Sequence, residues 1–149
     1  MTRFWITLDQ GVNFVLSSLE LMQGGEIFVP KIPSTTVVEL AKSVAPHLPH
    51  KVIGIRPGEK LHETMVAEDD GRSTVELSDR FAILPALDTK LMTAWLDRGA
   101  SQMEDGFYYA SNRNPERMDA RGLMGMLKLA YPEMGATTQA SSDPLNKTA

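Results

Sequence analysis

The sequence predicts an α/β fold. Two β-rich runs, at residues 26–30 and 51–56, enclose a segment at 37–44 whose apolar residues follow helical spacing. Hydroxyl side chains at 34–36 precede this segment as candidate helix caps. The order strand, helix, strand favours parallel pairing of the two strands through a right-handed crossover. The side chains expected on the buried face of the helix are Val37, Leu40, Ala41 and Val44.

Another helix is predicted before this unit. Thr7 and Gln10 have the spacing of a capping box, in which each side chain bonds the backbone amide of the other residue. Gly24 and Gly25 are expected to end the helix. Its apolar positions recur at helical intervals and are Val12, Val15, Leu16, Leu19 and Met22.

The sequence patterns that predict secondary structure are weaker after the second predicted strand. Asp119 is a candidate cap for a last helix, which would turn Leu123, Met126, Leu127 and Ala130 inward. The small, polar run at 135–149 predicts a disordered tail, so the folded region is expected to span 1–134. The remaining predictions are a helix at 59–66, a charged turn at 68–72, strands at 73–77 and 81–84, a helix at 91–96 and a loop or short extended piece at 105–112.

Composition excludes several classes of function. The net charge of −4 argues against broad binding to nucleic acid or to membrane surfaces. The chain has no cysteine, which excludes disulfides and thiolate chemistry. No apolar run approaches the roughly 20 residues that span a bilayer. Because the N-terminus also lacks the pattern of a signal peptide, a cytoplasmic protein is expected.

The stretch with the most chemical content is Arg56-Pro57-Gly58-Glu59-Lys60. Pro57 fixes φ for a tight turn, and Gly58 admits backbone angles that a side chain forbids. Such a turn can hold Arg56 and Glu59 side by side at the end of a sheet, where α/β folds bind ligands. A guanidinium suits a phosphate and a carboxylate suits a sugar hydroxyl. The stretch therefore predicts a contact loop for a sugar phosphate or a nucleotide.

Simpler structural interpretations exist for Arg56 and Glu59 and for the histidines. Arg56 and Glu59 also fit a surface turn with a local ion pair. His47 and His50 are three residues apart, but prolines break any helix there. His62 lacks a second histidine at the spacing of zinc proteases. No metal site is predicted.

Three motifs stand in order along the chain: MTRFWIT at 1–7, GEIFVPK at 25–31 and RPGEKLHE at 56–63. Together they resemble the C-terminal half of the inverting UDP-N-acetylglucosamine 4,6-dehydratases, and the resemblance runs from Met1 to about Leu127. These enzymes are CapD-like extended short-chain dehydrogenases of the NAD(P)-binding Rossmann-like superfamily. The resemblance implies an α/β substrate-binding part of a lyase that makes a UDP-4-keto-6-deoxy sugar. The implied pathways build bacterial surface glycans, including pseudaminic acid.

The resemblance also implies roles for single residues. Arg3 and Arg56 correspond to arginines that flank the diphosphate of the UDP-sugar. Glu59 corresponds to the carboxylate that holds the nucleotide end. Lys31 lies in the segment that passes near the nucleotide.

The catalytic part of the family pattern is not found in the sequence. The family reaction removes a hydride from C4, eliminates water across C5 and C6, and returns the hydride to C6, which requires NADP and acid/base groups. No Gly-rich turn joins a strand to a helix here, and no tyrosine has a lysine four residues later. The chain is therefore expected to lack the N-terminal cofactor-binding half, to contain no catalytic residue, to bind no cofactor and to be inactive alone.

The expected partner besides UDP-sugar is that N-terminal half or a second copy of the chain. Without it, the apolar face of Val12, Val15, Leu16 and Leu19 would lack cover. Two other functions are open: a fragment of a related capsule-type UDP-sugar dehydratase or epimerase, and a non-catalytic interaction module that kept the fold.

Overall fold

The computed structural model describes residues 1–86 and 88–131. The predicted tail at 135–149 lies outside the described residues. The helices are α1 (Leu8–Leu21), α2 (Val37–Val44), α3 (Thr89–Asp97) and α4 (Ala120–Ala130), with a 3₁₀ helix at Glu68–Ser73. The strands are β1 (Thr2–Phe4), β2 (Ile27–Pro30), β3 (Ser34–Thr36), β4 (Thr64–Val66), β5 (Thr74–Glu76), β6 (Arg80–Ile83), β7 (Ser101–Gln102) and β8 (Tyr109–Ala110).

The strands of the described residues form three antiparallel sheets. The largest has the order β2-β6-β5-β7, with Val29 opposite Phe81 and Val75 opposite Ala82. Two small sheets pair β1 with β3 and β4 with β8. The mixed α/β class is therefore confirmed, while the prediction of a parallel strand–helix–strand unit is wrong.

That prediction fails because residues 51–56 form no strand. Val52 is 92% exposed and Ile53 is 73% exposed. A strand needs a neighbour to receive its backbone hydrogen bonds, and no strand of the described residues lies beside this segment. High β-propensity alone does not supply that neighbour.

The helix predicted at 59–66 is also wrong. Gly58 has φ +77°, and the carbonyls of Lys60 and Leu61 accept hydrogen bonds from the Arg3 side chain and the Thr2 amide of β1 instead of from a helical turn. Residues Thr64–Val66 then pair with β8 as strand β4. Tertiary pairing overrides the local helical pattern here.

The predicted helix caps are confirmed. Thr7 and Gln10 form the capping box of α1, and Thr36 forms one with Glu39 at α2. Asp119 caps α4 through the amide of Gly122. The buried face predicted for α2 is only partly formed, because Val37 and Val44 are exposed.

The core lies on both faces of the four-stranded sheet, because neighbouring strand residues point to opposite sides. On one face Val75 and Ala82 pack with Leu91 and Trp95 of α3. On the other face β2 and β6 pack against residues of β4 and β8, namely Val29, Phe81, Val66 and Tyr109. This second cluster anchors β4, which directly follows the segment that contains Arg56 and Glu59.

Helix α1 leaves its apolar stripe uncovered, as expected. Val12, Val15, Leu16 and Leu19 are between 49% and 60% exposed. None of the described helices has the length and apolar composition needed to cross a bilayer.

Candidate functional site

The candidate site is built on residues 56–63, which we call the site loop. Strand β1 holds this loop through backbone groups and one side chain. The Thr2 amide donates to the Leu61 carbonyl at 3.0 Å. The Phe4 amide donates to Glu63 Oε2 at 3.1 Å. The N-terminal strand therefore fixes the C-terminal end of the site loop.

Glu59 closes the turn at the start of the loop. Its Oε2 accepts a hydrogen bond from the Arg56 backbone amide at 3.1 Å. Its own amide donates to the Arg56 carbonyl at 3.1 Å. Gly58, with φ +77°, supplies the left-handed backbone that this turn requires. The predicted tight turn is confirmed, but its link to Glu59 runs through the Arg56 backbone and not through an ion pair of side chains.

The Arg56 side chain is exposed. Within residues 1–86 and 88–131, no hydrogen bond or ion pair of its guanidinium is found. A guanidinium carries five N–H donors in a planar fork. Arg56 therefore presents these donors to solvent from a turn whose backbone is fixed.

Arg3 lies beside the same turn but is already engaged. Its Nη1 donates to the Thr2 carbonyl at 2.7 Å, and its Nη2 donates to the Lys60 carbonyl at 2.9 Å. Carboxylate oxygens of Glu59 and Glu63 lie 3.8 and 3.6 Å from its guanidinium. The structure thus brings Arg3, Arg56 and Glu59 together, with Arg3 bracing the loop.

Lys31 lies in a different part of the molecule. Its Nζ donates to Glu76 Oε1 at 2.7 Å and to the Leu77 carbonyl at 2.6 Å. The ammonium also lies 5.0 Å from the centre of the Phe81 ring. Lys31 borders two surface cavities of about 290 and 490 Å³, and neither is lined by Arg3, Arg56 or Glu59.

Sequence reasoning missed the buried hydroxyls beneath the loop. Thr2 and Ser111 are buried, and their hydroxyl oxygens are 2.7 Å apart although 109 residues separate them. Thr2 Oγ1 also lies 2.8 Å from His62 Nδ1. No sequence pattern signals this contact, because its members come from three separate segments.

Arg80 is another buried polar residue that sequence reasoning missed. Its guanidinium donates to the hydroxyls of Ser17 and Ser18, each at 2.7 Å, and to both carboxylate oxygens of Asp79. These hydrogen bonds from Arg80 lower the pKa of Asp79 below its ordinary value, although partial burial opposes the shift. The pair fixes α1 to the sheet through its polar side and leaves the apolar stripe outward.

Tyr109 supports the connection between β2 and β3. Its hydroxyl accepts from the Ile32 amide at 3.1 Å and donates to the Ile32 carbonyl at 3.0 Å. Burial raises the pKa of Tyr109 above its ordinary value.

In the described part of the chain, His, Asp and Glu side chains form no group of three that could hold a metal ion.

Comparison with known proteins identifies the relatives of the chain. The chain is 49% identical over 120 residues to a UDP-N-acetylglucosamine 4,6-dehydratase (inverting) of Campylobacter jejuni serotype O:2. The aligned residues cover 77% of the chain and 36% of the relative. The protein of the same name from C. jejuni strain 81-176 is 45% identical over 132 residues, which cover 85% of this chain and 40% of the relative. A UDP-glucose 4-epimerase of Rickettsia canadensis is 38% identical over 87 residues, which cover 56% of this chain and 26% of the epimerase.

A solved structure shares the fold. It is described as the X-ray structure of Pen from Bacillus thuringiensis, and it superposes with a TM-score of 0.69 at 26% sequence identity. The match covers 87% of this chain and 38% of that structure. The chain therefore spans only about two fifths of the length of the two Campylobacter relatives and of this solved structure.

The sequence profile of a family described as "Polysaccharide biosynthesis protein" matches residues 1–85, which is more than half of the chain. This match includes all three sequence motifs and the whole site loop. The predicted resemblance to inverting UDP-N-acetylglucosamine 4,6-dehydratases is confirmed by the two Campylobacter relatives. The chain belongs to the polysaccharide biosynthesis protein family.

Proposed function

We propose that this chain supplies the UDP-sugar contacts of an inverting UDP-N-acetylglucosamine 4,6-dehydratase, a cytoplasmic lyase of bacterial surface-glycan synthesis. The names of the two Campylobacter relatives support the substrate and the reaction. The proposed product is a UDP-4-keto-6-deoxy sugar, and the proposed pathway leads to pseudaminic acid. The contact region is proposed to span residues 1–134.

The observation that carries this proposal is the exposed guanidinium of Arg56 on a turn closed by Glu59. A diphosphate must give up water when it binds, and a guanidinium replaces that water with two parallel charge-assisted hydrogen bonds. Because Glu59 and Gly58 fix the turn before binding, little backbone ordering is needed when the ligand arrives. Arg56 is therefore the proposed diphosphate contact.

The other proposed contacts follow from the hydrogen-bond donors and acceptors that each side chain leaves unused. Glu59 Oε1 is not bonded to the Arg56 amide, so it remains an acceptor for a ribose hydroxyl. Arg3 lies 3.8 Å from that oxygen and would add positive charge beside the diphosphate. Lys31 lies apart from these three residues and is bound to Glu76, so it is proposed to contact another part of the nucleotide with the one donor it leaves unused.

The residues of this chain do not fit the NADP that the reaction requires. A dinucleotide phosphate binds at a Gly-rich turn between a strand and a helix. In the described residues, the connections from β1 to α1, from β3 to α2 and from β6 to α3 contain no glycine. We therefore propose that NADP and the acid/base groups belong to polypeptide outside the matched two fifths of the relatives, and that this chain alone does not turn over substrate.

The surface of the chain suits such a partner. The uncovered stripe of α1 and the exposed Val52 and Ile53 are apolar surfaces that association would bury. The proposed partner is the remaining polypeptide of the full-length relatives or a second copy of the chain.

The direct test is a titration of the chain with UDP, followed by calorimetry and by backbone amide NMR. We expect saturable binding, with the largest shifts at amides of the site loop, and weaker binding of uridine, which lacks the diphosphate. UDP-N-acetylglucosamine with NADP should give no product. A non-catalytic interaction module that kept the fold would leave the site-loop amides unmoved at millimolar UDP, and that result would overturn the proposal.

A further inference from the structure

We infer that Thr2, Ser111 and His62 form a hydrogen-bonded clamp that positions the site loop for its ligand. This inference rests on the proposed function of the loop, and it assigns positioning roles to three residues that do not contact the ligand themselves. The clamp joins β1, the end of the site loop and the residue after β8.

The distances define one continuous chain of hydrogen bonds. The Glu63 amide donates to Ser111 Oγ at 2.9 Å. Ser111 Oγ lies 2.7 Å from Thr2 Oγ1, which in turn lies 2.8 Å from His62 Nδ1. Ser111 is fully buried and Thr2 is 5% exposed, so water has little access to either hydroxyl. Each hydroxyl therefore depends on its protein partners for its hydrogen bonds.

The shorter of two hydrogen-bond distances gives the chain the direction that we infer. Ser111 Oγ accepts from the Glu63 amide and has one proton to donate, and Thr2 Oγ1 is a nearer acceptor than the Thr2 carbonyl at 3.2 Å. Thr2 Oγ1 then donates its own proton to His62 Nδ1. Nδ1 must be unprotonated to accept it, so the neutral imidazole carries its proton on Nε2.

The clamp surrounds the residues proposed to meet the ligand. Arg3 follows Thr2 directly and braces the loop through the Lys60 carbonyl. The Ser111 backbone reinforces the arrangement, because its amide donates to the Glu63 carbonyl at 2.8 Å and its carbonyl accepts from Ser34 Oγ at 2.8 Å. Loss of the Thr2 hydroxyl would leave Ser111 and His62 without their shared partner and would loosen this end of the loop.

The test compares two substitutions at one position. Thr2→Val removes the hydroxyl at nearly constant volume, whereas Thr2→Ser keeps it. We expect Thr2→Val to weaken UDP binding about tenfold, as loss of one well-placed hydrogen bond does. Thr2→Ser should stay within about threefold of the parent. Thr93→Val removes an exposed hydroxyl of α3 and is the matched control, which should leave UDP affinity unchanged.

A spectroscopic measurement separates positioning from general stability. At a pH above which the ring shifts of His62 no longer change, its ¹⁵N shifts should report the Nε2–H tautomer in the parent and in Thr2→Ser. Thr2→Val should shift His62 toward a mixture of tautomers and should speed hydrogen exchange of the Glu63 amide. If Thr2→Val does not fold, His62→Ala at the exposed end of the clamp should produce the same faster exchange and the same loss of affinity.

The outcomes are distinct from those of the proposed function. Absence of UDP binding by the parent would contradict the proposed function, and the Glu63 exchange rates of the parent and of Thr2→Val would still decide whether the clamp exists. An Nδ1–H tautomer in the parent would overturn the direction that we infer for this chain of hydrogen bonds. A Thr2→Val variant with the UDP affinity and the Glu63 exchange rate of the parent would overturn the clamp.

Discussion

The Glu59 carboxylate accepts a hydrogen bond from the backbone amide of Arg56, and the Glu59 amide donates to the Arg56 carbonyl, both at 3.1 Å. Both bonds use the backbone of Arg56, so they fix the turn without engaging the guanidinium. The two residues therefore have separable tasks. Glu59 shapes the turn and keeps one carboxylate oxygen for a ligand, while Arg56 offers its charge to solvent.

This division predicts different effects for two changes at Glu59. In Glu59→Gln the amide oxygen can still accept from the Arg56 amide, so we expect UDP affinity to fall less than about fivefold. Glu59→Ala removes the acceptor and loosens the turn, and we expect a loss of about tenfold or more. Calorimetric titration with UDP measures both. Equal losses for the two variants would show that the backbone bond to Arg56 does not organise the site.

The uncovered stripe of α1 predicts association. The purified chain should bind a hydrophobic dye or form oligomers, because four aliphatic side chains in one stripe face solvent. Replacing Val15 and Leu19 by serine should reduce dye fluorescence and association. Leu129→Ser is the control, because Leu129 is 78% exposed on α4, away from the stripe. A monomeric parent that unfolds cooperatively and ignores the dye would contradict this prediction.

The capping box of α2 predicts a specific dependence on pH. Hydrogen bonds from the Thr36 amide and hydroxyl and from the Thr35 hydroxyl hold the pKa of Glu39 below its ordinary value of 4.5. A lowered pKa means that the charged form stabilises the fold above pH 4.5 and that this contribution is lost as the pH falls through the lower value.

Carboxyl NMR titration should therefore place the midpoint of Glu39 below 4.5. Glu39→Gln should flatten the dependence of Tm on pH between about pH 5 and pH 3. A midpoint at or above the ordinary value would show that the capping box is not formed in solution.

Tyr109 provides a test of the core. Tyr109→Phe removes the hydroxyl that serves both backbone groups of Ile32, and we expect the free energy of unfolding to fall by about 1–2 kcal/mol. Tyr108→Phe is the matched control, since no hydrogen bond of the Tyr108 hydroxyl is found in residues 1–86 and 88–131. Urea denaturation compares the two. Similar losses for both variants would mean that the hydroxyl bridge to Ile32 contributes little.

Local features of the fold were predictable from the sequence. The Thr7 capping box, the end of α1 near Gly24 and the strand at Ile27–Pro30 depend on residues close together in the chain. The strand predicted at 51–56 failed because pairing depends on a neighbour that local sequence does not reveal. The helix predicted at 59–66 failed because β1 holds that segment from 60 residues away.

In the candidate site too, the features set by neighbouring residues could be predicted and the contacts between distant segments could not. The turn of Arg56 and Glu59 could be predicted, because Pro57 and Gly58 restrict the backbone locally. The engagement of Lys31 by Glu76 and the contact of Thr2 with Ser111 could not, since each joins segments far apart in the chain. Only the folded chain shows that the Arg3 guanidinium donates to the Thr2 carbonyl of β1 and to the Lys60 carbonyl of the site loop.

The UDP affinity of Arg56→Ala decides whether Arg56 binds the diphosphate of a UDP-sugar. Removal of a guanidinium that bonds a charged phosphate should cost about 2–3 kcal/mol, or about thirty- to hundredfold in Kd. Arg56→Lys should recover only part of this, because an ammonium lacks the planar fork. Arg121→Ala, at an exposed arginine of α4, should bind like the parent, and circular dichroism should show all three variants folded. If Arg56→Ala binds UDP as tightly as the parent, the turn is structural and the assignment of the ligand site is wrong.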